Sequence, residues 1–496
     1  MSIYAIMDEA LFRLFDLLTF RDYDAARRSA KDLINLSQVC KSLNLIVARL
    51  LAKYKVHPLE AGLIPYIYTI LQNPDLASCE TTFRLRLSDY NGLLETHHLH
   101  AFDARALSLR ILPPSSYRTD LVPRQGNNVM VNARMHDGRT HLMYLLLASL
   151  PNLESFSIYN TCDTHFPLNA RFPTVKHIRV VGYSDVFSSL DICHFRRHLV
   201  CLSNLEVFEA VNMVMCRGYI RLDRVHTIRL LSCRISTNGL DTAVKFCSPN
   251  LKTFVYRSGY HNLYLQRNVQ SEENNGSRKW DASPWDIVAT LVSSRARGSL
   301  ETLEIDIREH FCHRTWGIHT HSPLANLDML YNFINQLKCF PALRSIILTQ
   351  QTLWEPWIDE IAGYNGQGSL CGEMRLIDVL PPSLESFALY DVTAKFLPCI
   401  VSFAQFVSRG MGFHNLKEFT LRPSPNFIRH LIHARSHQDN PELRFFDEHG
   451  TFCRVNPELL SCWGWIIVVL KDRGVRVDCV PEVHPLDTED QEVLRR

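Results

Sequence analysis

Leu153-Glu-Ser-Phe156-Ser-Ile158 is written again, with small changes, as Leu205-Glu-Val-Phe208-Glu-Ala210, Leu300-Glu-Thr-Leu303-Glu-Ile305, Leu384-Glu-Ser-Phe387-Ala-Leu389 and Leu416-Lys-Glu-Phe419-Thr-Leu421. Variants with other apolar residues in the same slots begin at Val175, Val225, Leu251 and Leu343, so nine copies fall between residues 150 and 421. Recurrence of this kind marks a repeat architecture, in which each unit hides its apolar face only by stacking on the next. A binding surface, rather than a reaction centre, is the first expectation.

Each copy is apolar at positions one, four and six. Positions four and six point to the same side of a strand, while position one lies in the preceding turn. This is similar to the leucine-rich-repeat pattern Leu-x-x-Leu-x-Leu. The copy from Val225 matches furthest, because Val225-x-x-Ile228-x-Leu230-x-x-Cys233-x-Ile235 also has Cys at the turn position where that family uses Asn or Cys. The expected fold is therefore α/β, a curved parallel sheet with helices on its convex side.

First residues of successive copies are separated by 22, 30, 20, 26, 49, 43, 41 and 32 residues, whereas regular repeats of this type hold to about 20–29. The long gaps predict helices or insertions. Leu327, Leu330, Phe333, Ile334 and Leu337 recur at helical intervals, as do Phe396, Ile400, Phe403, Phe406 and Val407. Further helices are expected over residues 141–150 and 186–200. Residues 266–284 are polar, Gly-bearing and aperiodic, and read as a surface loop. Residues 457–471 predict a strongly apolar helix stopped by Gly474, with the strand-like 475–479 after it; this segment is expected to cap the stack.

The chain has 496 residues, of which 46% are hydrophobic and 21% charged, and its 53 basic and 51 acidic residues leave a formal charge of +2. That balance gives no reason to expect a nucleic-acid ligand. The longest apolar runs fall far short of a bilayer span of about 20 residues. Asp8 and Glu9 stand where a secretory signal would be basic and then apolar, so the expected compartment is cytoplasm or nucleus. Fifteen scattered cysteines without Cys-x-x-Cys predict neither a disulfide framework nor a zinc ribbon. Cys162, Cys201, Cys233, Cys247 and Cys339, beside the repeats, are expected as small packed residues.

The first sixty residues follow another rule. Leu11, Leu14, Phe15 and Leu18 make one helical face, and after a polar stretch over 21–31 a second short amphipathic helix opens at Asp32, a plausible N-cap. With Ile6-Met7-Asp8-Glu9 at the opening, Asp32-Leu33 in the middle and Val39-Cys40-Lys41 at the close, this segment resembles an F-box. Met7 stands where the family usually has Pro, and the polar stretch is longer than is common. The resemblance implies a three-helix module docking on the adaptor subunit of a cullin-based SCF ubiquitin ligase. Leu11, Leu14, Phe15, Leu18, Leu33, Leu36, Val39 and Cys40 would offer the apolar contact.

With the helix and edge strand expected at 63–71 and 83–87, and a further strand at 107–109, the chain resembles the F-box and leucine-rich-repeat-like proteins of filamentous fungi. The expected domains are an F-box-like module (1–58), connecting helices and first irregular repeats (59–140), the degenerate repeat solenoid (141–430) and a C-terminal cap and tail (431–496).

No Gly-x-Gly-x-x-Gly, phosphate-loop, His-Glu-x-x-His or Gly-x-Ser-x-Gly motif is present. His310, Cys312, His313, His319 and His321 carry zinc-ligand chemistry without a zinc spacing, and His97, His98 and His100 read as an exposed loop. No catalytic residue, metal or cofactor is assigned. The expected function is recruitment of a protein client to the ligase; the alternative is a repeat scaffold that binds no ligase. Positions two, three and five of each copy face outward. The candidate client-binding residues are Glu154, Lys176, Arg179, Glu206, Glu209, Arg229, Lys252, Glu301 and Glu304.

Overall fold

Each of the nine copies forms a strand, and within each of the two compact units described below the strands pair in phase however far apart they lie in sequence. The structure, a computed structural model, describes residues 63–86, 96–109, 135–159, 171–182, 199, 202–215, 222, 224–235, 239–241, 244, 249–259, 284–307, 336–353, 376–393, 396–424, 444–446, 452–454 and 457–478. The eight candidate adaptor-binding residues, Leu11 to Cys40, lie outside the described residues. So do the histidine cluster of 310–321, residues 266–283, and Cys162, Cys201 and Cys247.

The strands are β1 (Thr82–Arg86), β2 (Ser155–Tyr159), β3 (His177–Val181), β4 (Val207–Val211), β5 (Val214–Met215), β6 (Thr227–Ile235), β7 (Thr253–Ser258), β8 (Thr302–Asp306), β9 (Ser345–Thr349), β10 (Ser386–Val392), β11 (Glu418–Pro423), β12 (Arg444–Phe446), β13 (Phe452–Arg454) and β14 (Arg476–Asp478). The sheet order is β1-β2-β3-β4-β6-β7-β8-β9-β10-β11-β14, with β5 beside β6. Every described pairing in it is parallel. β12 and β13 form a separate antiparallel pair. Parallel neighbours need long crossovers, which the repeat spacing provides.

Position four stacks on position four: Phe83 on Phe156 on Ile178, and Ile228 on Phe254 on Leu303 on Ile346 on Phe387 on Phe419 on Val477. Positions four and six of all nine copies are at most 2% exposed, which places them in the core. The ladder is also fixed ahead of each strand. The carbonyl of Lys252 accepts from the amides of both Glu301 and Thr302, and the same fork recurs at Thr81, Glu154, Lys176, His226, Glu301, Arg344 and Glu385. Asn152 Nδ2 donates to the Ser78 carbonyl, Asn204 Nδ2 to Pro173, Ser299 Oγ to Leu251 and Ser383 Oγ to Leu343. A polar residue just before position one thus ties each of these copies to the one before it.

By compactness the chain divides into residues 1–182 with 194–209, and residues 183–193 with 210–496; the division falls within β4. The first unit contains α1 (Leu63–Gln72), α2 (Pro74–Cys79), α3 (Thr96–Ser108) and α4 (Met135–Ala148). α1, α3 and α4 pack on one another around Ile64, Ile67, Phe102, Ala106, Leu142, Leu145 and Leu146. The strand expected at 107–109 is instead the end of α3, where Leu107 is 80% exposed. Phe102 and Ala106, four apart, fix the buried face of that helix, and Leu107 falls away from it. The histidines expected in an exposed loop are also in α3. His98 is buried there against Tyr68, His97 and Phe102.

The second unit contains α5 (Pro284–Ser293), the short α6 (Gln350–Leu353) and α7 (Leu376–Val379), α8 (Leu397–Ser408) and α9 (Pro457–Asp472). α8 presses Phe403 between Phe387 of β10, Phe413 and Phe419 of β11, with ring centroids 6.0, 5.1 and 5.5 Å away. α9 packs on α8 and ends at Gly474, whose φ of 75° suits a glycine stop, before the chain enters β14 beside β11. No described helix is long and apolar enough to cross a membrane.

Candidate interaction surface

Because strands begin at position three, positions three, five and seven share the face opposite the core, and position two stands at the approach to each strand. The in-phase ladder sets equivalent positions of neighbouring copies side by side. At position two this produces ion pairs. Lys176 lies 2.9 Å from Glu154, Lys252 3.1 Å from Glu301, and Glu385 takes both Arg344 at 3.3 Å and Lys417 at 2.6 Å. The hydrogen bond from Lys176 to Glu154 raises the lysine pKa, and the bond from Lys417 holds the Glu385 carboxyl below its usual range. The alternation of sign in the sequence is thus the pattern that lets adjacent copies neutralise each other, and these charges are engaged within the sheet.

Position five behaves differently. In the first unit Arg179 sits 3.0 Å from Glu209, and in the second Arg257 sits 2.5 Å from Glu304. Both carboxylates, expected to face outward, are buried: Glu209 is 6% and Glu304 5% exposed. Side chains on this face cover one another, and a guanidinium over each carboxylate makes burial tolerable. Burial opposes the charge of Arg257, yet Glu304, then Asp306 and Tyr390, hold its pKa above the ordinary value. Of the remaining candidates, Glu206 at position two and Arg229 at position five are exposed.

Position seven was invisible to a six-residue pattern. Arg257, Asp306, Thr349 and Tyr390 occupy it in β7 to β10, and Arg422 in β11 makes two contacts to Asp478 of β14, at 3.0 and 3.3 Å. Carrying the strand alternation one step further would have found them. The turn position held by Cys233 has the role its place in the pattern suggests: Sγ is buried and donates to the carbonyls of Leu231 (3.3 Å) and Ala210 (3.4 Å). Just before that turn the backbone adopts positive φ at Asn212, Ser232 and Asp391, and the register slips between Leu230 and Cys233 and between Leu389 and Val392. A left-handed residue and a bulge therefore recur at the strand exit of separate copies.

Elsewhere, His141 of α4 is buried, which lowers its pKa to about 4 against an opposing pull from Asp103. Among the described residues no three His, Cys, Asp or Glu side chains are grouped to hold a metal ion. No protein-family model matches this chain, and no curated protein matches it.

Proposed function

We propose that this chain is the client-recognition subunit of an SCF-type ubiquitin ligase. Residues 1–58 act as an F-box-like helical module on the adaptor, and an irregular leucine-rich-repeat solenoid presents its sheet face to a protein client. The observation that supports this best is the in-phase parallel ladder, which turns degenerate copies into rows of polar and charged side chains on one face. Such a face is suited to a macromolecular surface rather than to a single reacting bond. The resemblance of residues 6–50 to an F-box supplies the second partner.

Two binding surfaces on one chain do chemical work by proximity. A client lysine held beside the carried ubiquitin meets it as an intramolecular neighbour, at an effective concentration set by the geometry of the assembly. No reacting group of this chain is required. Affinity purification of the chain from proteasome-inhibited cells tests the proposal. The expected result is co-recovery of adaptor, cullin and a protein that accumulates under inhibition; recovery of partners without adaptor or cullin would replace the ligase role with that of a scaffold.

A further inference from the structure

The sheet ends at β14, which pairs with β11 on one side and with no described strand on the other. The amide of Arg476 donates to the Lys417 carbonyl, so the main-chain groups of Arg476 turn inward. Successive residues of a strand turn these groups to opposite sides, which leaves the N–H and C=O of Val477 directed at the open edge. Val477 also holds position four of this strand, in register with Phe419. Position four of the nine copies is at most 2% exposed, whereas Val477 is only half-buried. The core is thus left partly uncovered at this end.

The last helix is uncovered in the same way. α9 turns Ile466 and Leu470 inward, where both are fully buried, but Trp465 is 38% and Val468 56% exposed. α9 packs on α8, whose Phe403 meets Phe419, so α9 and Val477 lie on the same side of the sheet. Alternation puts Arg476 and Asp478 on the other side. The side chain of Arg476 is 79% exposed, and its contact with Glu418 is long, at 3.5 Å. Charged residues on an edge strand ordinarily keep other strands away. Here their order is self-complementary: Arg476-Val477-Asp478 laid antiparallel on a second copy of itself sets Arg476 opposite Asp478 twice.

We infer that this edge of the sheet binds a second copy of the chain, by antiparallel pairing of the two β14 strands about a two-fold axis at Val477. The two Val477 residues exchange both of their N–H···O=C bonds, and Arg476 of each copy faces Asp478 of the other. Val477 and both α9 helices then lie on one side of the joined sheet, where Trp465 and Val468 supply apolar surface. Because β14 is three residues long, the dimer is weak and concentration-dependent. The pairing does not depend on the ligase reading; joined to it, a dimer carries two recognition faces and gains by multivalency.

Sedimentation velocity of the purified full chain over a wide concentration range tests this. Wild type should pass from monomer to dimer and no further. Val477→Pro removes the outward N–H and keeps the bonds to β11, a change that an edge strand accepts. It should melt near wild type and dimerise about thirtyfold more weakly, the scale of the two hydrogen bonds lost. Arg476→Asp alone and Asp478→Arg alone set like charges opposite each other and should stay monomeric, whereas their equimolar mixture restores both attractive pairs and should dimerise. Asp478→Arg also meets Arg422, so its melt is recorded, and if it does not fold Val477→Pro decides alone. A wild-type chain that stays monomeric throughout, growth beyond the dimer, a dimer that Val477→Pro leaves at wild-type affinity, or a mixture of folded variants no more associated than its components would overturn the inference.

Discussion

Gly259 shows how closely two copies approach at the strand exit. A Cβ there would stand 2.1 Å from the carbonyl oxygen of Ser232 and 2.3 Å from its carbonyl carbon, both backbone atoms of the bulge in β6. Gly259→Ala should therefore destabilise the second unit by about 2–3 kcal/mol in urea denaturation. Gly464→Ala, in α9 with nothing within 4 Å, should stabilise it by up to about 1 kcal/mol. In the first unit His141 is the group to titrate. The unfolded histidine takes up a proton near pH 6.5, the folded one near 4. Its contribution is complete above 6.5 and is lost as pH falls through that window, by at most about 3 kcal/mol. Urea midpoints of the first unit between pH 7 and 5 should show this slope, and His141→Leu should flatten it. The sequence marks Cys233 as a turn residue because a side chain is needed there. It does not mark the left-handed positions, since Asn212, Ser232 and Asp391 share a backbone conformation and no single side-chain type.

At the scale of elements, the phase of the strands is legible because burial on one face imposes a strict alternation, and a one-residue slip would expose Phe387 or Phe419. α8 is legible for the same reason, with Phe396, Ile400, Phe403 and Val407 all buried. α3 is not, because its polar residues outnumber the few that are buried and Leu107-Ser-Leu109 imitates strand alternation. Phe403→Ala should cost the second unit about 3–5 kcal/mol, since it empties the contact between helix and sheet. The ion pairs divide by burial. Glu304→Ala leaves Arg257 over a lost partner and should cost about 2–4 kcal/mol. Glu154→Ala removes an exposed pair and should leave the urea midpoint at the wild-type value. The sequence alone gives these glutamates the same status, because position in a repeat says which face a side chain takes and nothing about the guanidinium arriving from the next strand.

For the whole molecule, the sheet accounts for the repeats, and the ligase role proposed above rests on the resemblance of residues 6–50 to an F-box. The ladder explains why copies separated by anything from 22 to 49 residues still align: the strand and its approach are fixed by hydrogen bonds to the preceding copy, and the connection is left to vary. The sheet face was only partly legible, since most of its conspicuous charges neutralise one another across strands and position seven lies beyond the repeated pattern. Calorimetric titration of purified SCF adaptor into the purified full chain tests the proposed ligase role. One-to-one binding is expected, lost on Leu14→Asp and on Val39→Asp while the circular dichroism of the chain is unchanged; absence of binding by the wild-type chain would overturn the ligase role.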